Sequence, residues 1–196
     1  AGRVDVATPH DLIADTLRAI GRFGVGLVDP IAPAGAMYSS VLDMTRWIRF
    51  LLDSGRVGGR RLVSEASFRE LFRPQTIVEP DQFYPTARLT RPRFTAYGLG
   101  WFLEDYRGEF VAFHTGSIDG TVAIVGLIPD RRLGLVIFAN RDHAELRHAL
   151  MYRVFDAYLG GLRRDWSAEM RVMYDSLREA GLARRREAEA KRVAGT

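Results

Sequence analysis

Two textures divide the chain. Between Ser40 and Pro74 apolar residues recur at helical spacing, whereas from Tyr97 to Asn140 they come in short aromatic and β-branched runs cut by turn signals. SSVLDMTRWIRFLLDSG predicts a helix capped by Ser40, with Asp43 three residues on and Gly55 as its stop. Val41, Met44, Trp47, Ile48, Leu51 and Leu52 fall on one face and are expected in the core. SEASFRELFRP predicts a second helix, capped by Ser64 and stopped before Pro74. Residues 1–38 are rich in Gly, Pro and Ala around a short helical candidate, DLIADTLRAI, and GVGLVDPIAPAGAMY reads as a loop or extended segment. Residues 74–96 hold four of the eight prolines without sustained periodicity and read as a long loop.

YGLGWFLEDY, EFVAFHTGS, TVAIVGLIPD and LGLVIFANR predict four strands, joined tightly at YRGE, IDG and PDRR into an antiparallel meander. The second half is nearly all apolar, as in a sheet covered on both faces. Asp142 and Glu145 form a candidate capping box for HAELRHALMYRVFDAYLG, with Leu146, Leu150, Val154 and Tyr158 as the stripe facing the sheet. Trp166, Met170, Met173 and Leu177 continue a weaker stripe into a charged tail. The fold class is α+β, without internal repeats.

Composition narrows the function. At 47% hydrophobic and 27% charged, the 196 residues match a globular protein, and no apolar run approaches a membrane span. The absence of cysteine excludes disulfide and thiolate sites. The net charge of +4 resides mostly in residues 163–196, where nine Arg or Lys oppose six Asp or Glu (+3), leaving +1 elsewhere. Interleaved signs mark a solvated helix face, so no nucleic-acid partner is expected. The N-terminus AGRVDVATPH lacks Met and a signal-like apolar region, and reads as the interior of a longer chain.

One stretch carries candidate chemistry. HTGSIDG, residues 114–120, places an imidazole, two hydroxyls, a carboxylate and two glycines between apolar runs. A glycine at a strand edge lets a ligand approach the backbone, where the Ser117 N–H can face a developing oxyanion beside His114 and Thr115. The plainer alternative is a hairpin turn whose polar residues satisfy the backbone. Both stay open on this stretch alone. His143 and His148 are five apart and lack the spacing of a metal pair, and His10 alone suggests nothing. Asp119 reads as turn chemistry, and Asn140 as a strand end or a substrate contact.

Several stretches together resemble the C-terminal part of the serine β-lactamase, DD-peptidase and esterase superfamily, in particular its class C β-lactamase-like branch. PAGAMYSSVLDMTRWIRFLL is similar to the segment that opens a helix after a small-residue turn, and YGLGW resembles the strand before the third active-site box. His114-Thr115-Gly116 looks like that box, Lys-Thr-Gly in most relatives and His-Thr-Gly in some DD-peptidases and D-amino-acid amidases. LIPDRRLGLVIFAN resembles the strands that follow, so the likeness spans residues 30–160.

The resemblance implies a partial β-lactamase/transpeptidase-like fold. Residues 1–96 would end the helical lobe, 97–160 would give the last strands and helix of the α/β lobe, and 161–196 a charged helical linker or tail. It implies acyl hydrolysis through a covalent acyl-enzyme, needing neither metal nor cofactor, on a small acyl substrate or D-amino-acid peptide in the periplasm or outside the cell. His114 and Ser117 would be catalytic, Ser117 through its backbone N–H. Thr115, Gly116, Ser117 and Asn140 would bind substrate. Glu145 falls where class C enzymes carry an Asn near the substrate carboxylate, and there it would repel an anion.

The departures are as informative. The sole lysine is Lys191, preceded at position 188 by Ala, so the chain contains no Ser-x-x-Lys. The sole asparagine is Asn140, with Phe at 138, so Tyr-x-Asn and Ser-x-Asn are absent too. The expectation is a C-terminal portion, inactive alone, whose partner is the missing N-terminal half of the same fold. The alternative is a non-catalytic binding or assembly protein using this half-fold.

Overall fold

The structure, a computed structural model, describes residues 5–21, 29–118, 120–161 and 164–192. The chain forms two compact units, Ala1–Arg147 and His148–Thr196.

The first unit opens with β1 (His10–Ile13) and β2 (Thr16–Ala19), an antiparallel hairpin in register His10 with Ala19. This corrects the helical reading of DLIADTLRAI. Ala14 and Asp15 both take positive φ, 48° and 59°, which closes a two-residue turn and leaves Leu12 opposite Leu17. A short α1 (Ala32–Gly35) with a proline in its first turn stands where a loop or extended segment was expected. In α2 (Val41–Leu52), Ser40 Oγ accepts the Asp43 N–H at 3.1 Å, and Gly55, at φ +80°, lies just past the end. The buried face is narrower than its sequence stripe: Ile48 and Leu51 are buried, but Val41 and Trp47 are exposed. Next come the small hairpin of β3 (Arg56–Val57) and β4 (Arg60–Arg61), and α3 (Glu65–Leu71), capped by Ser64 as expected.

The sheet has six strands rather than four. They are β5 (Thr76–Ile77), β6 (Thr95–Tyr97), β7 (Phe102–Tyr106), β8 (Glu109–Ile118), β9 (Thr121–Ile128) and β10 (Leu133–Ala139), with α4 (Ala87–Thr90) between β5 and β6. All neighbours pair antiparallel, in spatial order β10-β9-β8-β7-β6-β5. YGLGW is therefore a turn between two strands: the Gly98 N–H donates to the Trp101 carbonyl at 2.8 Å. A side chain at Gly98 would meet the Leu71 carbonyl oxygen at 2.7 Å. The supposed loop 74–96 contributes β5, because Thr76 and Ile77 find partners in Tyr97 and Ala96 that no local pattern announces.

The alternation of side chains gives the sheet two apolar faces. Leu103, Ala112 and Leu127 lie side by side on one face and join Ile48, Leu51 and Phe68 in a common core. Gly134 lets α2 settle onto β10, since a Cβ there would stand 2.5 Å from Ile48 Cγ2 and 2.8 Å from Leu127 Cδ2. On the other face Phe102 stacks on Phe113, and Phe83 and Tyr84 set their edges against both rings.

The second unit holds most of α5 (Leu146–Tyr158), together with α6 (Trp166–Ala190). The expected capping box does not form, because α5 begins at Leu146 and Asp142 bonds Ser117 instead. The expected stripe is also displaced: Leu146, Leu150 and Tyr158 are exposed, and Ala149, Met151, Tyr152 and Phe155 are buried together with His148 and Asp156. Two polar side chains sit on the buried face, so a hydropathy pattern rotates it wrongly. Asp156 accepts the Trp166 indole N–H at 2.7 Å, while Tyr152 stacks on that ring at 4.9 Å. Asp165 caps α6, and Trp166, Met170 and Met173 are buried as the weak stripe predicts. No described helix is long and apolar enough to cross a membrane.

Candidate active site

His114, Thr115, Gly116 and Ser117 lie in the body of β8, not at its turn as read from sequence. Their environment follows from unequal strand lengths. β7 pairs with β8 only as far as Phe102 opposite Phe113, whereas β9 continues to Thr121 opposite Ile118. Residues 114–118 thus have a partner on one side only, among the described residues. The Ala123 carbonyl accepts from Thr115 Oγ1 at 2.9 Å, so it faces β8. Antiparallel alternation then turns the backbone of Gly116 and Ile118 towards β9, and directs the N–H groups of Thr115 and Ser117 away from it. Asp119, read as turn chemistry, lies outside the described residues.

His114 is the first residue past the end of β7. Its ring stacks on Phe102 at 5.5 Å, and the Tyr97 hydroxyl is 3.1 Å from Nε2. The ring keeps an exposed edge, but its covered face is desolvated, and this burial lowers the imidazole pKa below 6.5. His114 is therefore neutral at pH 7, able to accept a proton.

On the side-chain side of Thr115 is a polar cluster that sequence reasoning missed. Arg147, nearly fully buried, donates from Nε to Thr115 Oγ1 at 2.8 Å and from Nη2 to the Tyr84 hydroxyl at 3.2 Å. Glu145 Oε2 is 3.5 Å from the same guanidinium and offsets its charge. Burial pushes the Tyr84 hydroxyl above its usual 10, with Arg147 opposing the shift. Glu145, expected to repel an anion, is instead engaged by this arginine. Nothing local marks Tyr84 or Arg147, which are 31 and 32 residues from Thr115.

Ser117 Oγ donates to Asp142 Oδ1, and the Asp142 N–H donates to the His10 carbonyl at 2.8 Å. The His10 N–H in turn reaches the Gly120 carbonyl at 3.1 Å. Asn140 belongs to this tie rather than to β8: its Nδ2 donates to the Thr8 carbonyl at 2.9 Å, and its own carbonyl oxygen is 3.1 Å from His10 Nδ1. His143 is exposed beside Asp142 and Glu145. Among the described residues no cluster of His, Asp or Glu could hold a metal ion.

An antiparallel sheet with a half-open central strand carrying His-Thr-Gly-Ser defines the class of protein. The β-lactamase family matches residues 2–159, and the chain belongs to that family. It is 30% identical over 151 residues to the unguisins hydrolase ungD of Aspergillus violaceofuscus, an alignment covering 70% of this chain and 26% of the relative. It is 24% identical over 108 residues to protein flp of Staphylococcus aureus, covering 55% of the chain and 18% of that protein. The chain thus spans about a quarter or less of the curated relatives it matches. Its fold is similar to the octameric penicillin-binding protein homologue from Pyrococcus abyssi (TM-score 0.60, 19% identity), covering 81% of this chain and 32% of that one.

Proposed function

We propose that the chain supplies the oxyanion-binding strand of a serine acyl hydrolase, and that its 196 residues alone do not turn substrate over. The observation that carries this reading is the free edge of β8, where the Ser117 and Thr115 N–H groups point away from β9 beside a neutral His114. As a serine hydroxyl adds to a substrate carbonyl, charge gathers on the carbonyl oxygen. The Ser117 N–H donates to that oxygen, and the gain is largest where the donor is fixed beforehand by strand pairing. Thr115 is held by Arg147, which keeps this stretch of β8 straight against the reaction. His114 takes up or returns the proton exchanged with the nucleophile or leaving group. The chain itself holds no Ser-x-x-Lys, hence no serine activated by a lysine one turn on. The substrate class is an ester, amide, peptide or β-lactam.

A second reading, a binding or assembly protein, has one feature in its favour: the Ser117 hydroxyl and the Asn140 amide are both taken by internal partners. Intact-mass spectrometry separates the two. The chain alone should gain no adduct from a penicillin or a fluorophosphonate. Joined to a segment bearing Ser-x-x-Lys and Tyr-x-Asn, it should hydrolyse a small acyl ester, with His114→Ala lowering kcat/KM by ~10²–10³. An adduct on Ser39, Ser40 or Ser117 of the chain alone would refute the division of labour. A joined protein indifferent to His114→Ala would leave the binding reading standing.

A further inference from the structure

Ser117 and Phe110 are seven positions apart, about 23 Å along β8. At the Phe110 end, the C-terminal end of α2, the β3–β4 hairpin, α3 and the loop before β10 enclose an open groove of about 990 Å³. Phe68, Phe72 and Phe110 give it apolar walls. Its rim carries Arg56, Arg61, Arg69, Arg73 and Arg132.

The internal carboxylates do not match this charge. Arg69 meets Glu65 at 3.5 Å, Arg73 meets Glu70 at 3.2 Å and Arg132 meets Asp53 at 2.7 Å. All three pairs are exposed, the kind that solvent screens and an incoming ligand can exchange. Five arginines against three carboxylates leave two guanidinium groups over. Arg61 spends Nη1 on the backbone carbonyls of Ser54 and Val63, and has no carboxylate partner among the described residues. The side chain of Arg56, exposed on β3, makes no ion pair or hydrogen bond among the described residues, although its backbone pairs with Arg61.

We propose that this groove docks an acidic segment of a partner protein, with an apolar side chain against the phenylalanine rings and flanking carboxylates on Arg56 and Arg61. Guanidinium groups bind carboxylates in two-pronged fashion, and their surplus here is spaced around an apolar wall rather than set in a continuous stripe. That spacing favours a peptide over a nucleic acid. An unbroken phosphate chain crossing the groove would run against Asp53, Glu65 and Glu70, whereas a peptide can place its acids only where the arginines are. The proposal involves none of the residues assigned to acyl transfer and stands or falls without them.

The test is fluorescence anisotropy on the 196-residue protein with a labelled peptide, Glu-Asp-Phe-Glu-Asp-Leu-Glu. The controls are its amide counterpart, Gln-Asn-Phe-Gln-Asn-Leu-Gln, and a single-stranded oligonucleotide of matched charge. The acidic peptide should bind saturably and more weakly as salt rises, and the amide peptide about tenfold less tightly or not at all. Arg56→Ala removes a side chain with no internal bond, so it should weaken binding at least about threefold without moving Tm. Arg56→Glu with Arg69→Glu should abolish binding. Absence of saturable binding, equal affinity for the amide peptide, tighter binding of the oligonucleotide, or an unaffected Arg56→Ala protein would each overturn the proposal.

Discussion

The imidazole of His114 has one face against Phe102 and one edge in water, and this asymmetry sets its behaviour. Desolvation makes the folded chain hold this proton less tightly than the unfolded chain does. Protonation therefore favours unfolding, and stability falls as pH drops below about 6.5, the pKa regained on unfolding. His114→Phe should flatten the dependence of Tm on pH between about 7 and 5, and the C2 proton resonance of His114 should titrate below the ordinary value. A midpoint at or above 6.5 would count against the buried face. Tyr97 supplies an oxygen to Nε2 without a charge, so it orients the ring but cannot raise its pKa as a carboxylate would.

Among the elements, α2 and β10 show how closely a helix can be laid on a sheet. At Gly134 the space that a side chain would take is already filled by Ile48 and Leu127. Gly134→Ala should destabilise the fold by about 1–3 kcal/mol, as overpacking does, and lower the urea midpoint without changing the slope. Gly116, on β8, has open space where a Cβ would stand. Its substitution should cost the fold far less, and any effect would be read at the free strand edge rather than in the core. The contrast separates a glycine kept for packing from one kept for access.

At the scale of the whole molecule, the sheet ends at β10, whose outer edge pairs with no described strand. Its residues, Leu133 to Ala139, are all apolar, and Phe138 is partly exposed. An uncovered apolar edge is a template for another strand, so the chain alone should associate with itself at micromolar concentration. Phe138→Lys puts a charge on that edge and should slow the growth of light scattering severalfold while leaving the far-UV circular dichroism intact. A wild-type chain that stays monodisperse and melts cooperatively would contradict this view of the edge.

The two capped helices, the apolar hairpin runs and the His-Thr-Gly box are all written within a few residues of sequence. Ser40 reaches Asp43 and Ser64 reaches Ser67 across a single turn, so the capping residue and its target are neighbours in the chain. The same locality misleads where a distant partner decides. DLIADTLRAI has helical spacing, yet it turns at Ala14-Asp15 and ties its first strand to Gly120 and Asn140. Asp142 would cap a helix if nothing else called on it, but Ser117, 25 residues away, takes its carboxylate. The buried face of α5 includes Asp156 because Trp166 is there to bond it. The free edge at residues 114–118 exists only because β7 stops at Phe102 while β9 runs on, and Arg147 reaches Thr115 only once that sheet is assembled. By itself the sequence determined which residues are helical near a cap and most of the runs that make the central strands, and it singled out one short box as the candidate for chemistry. Tertiary structure decided strand lengths, partners and faces, because these depend on contacts between residues that chain proximity does not bring together.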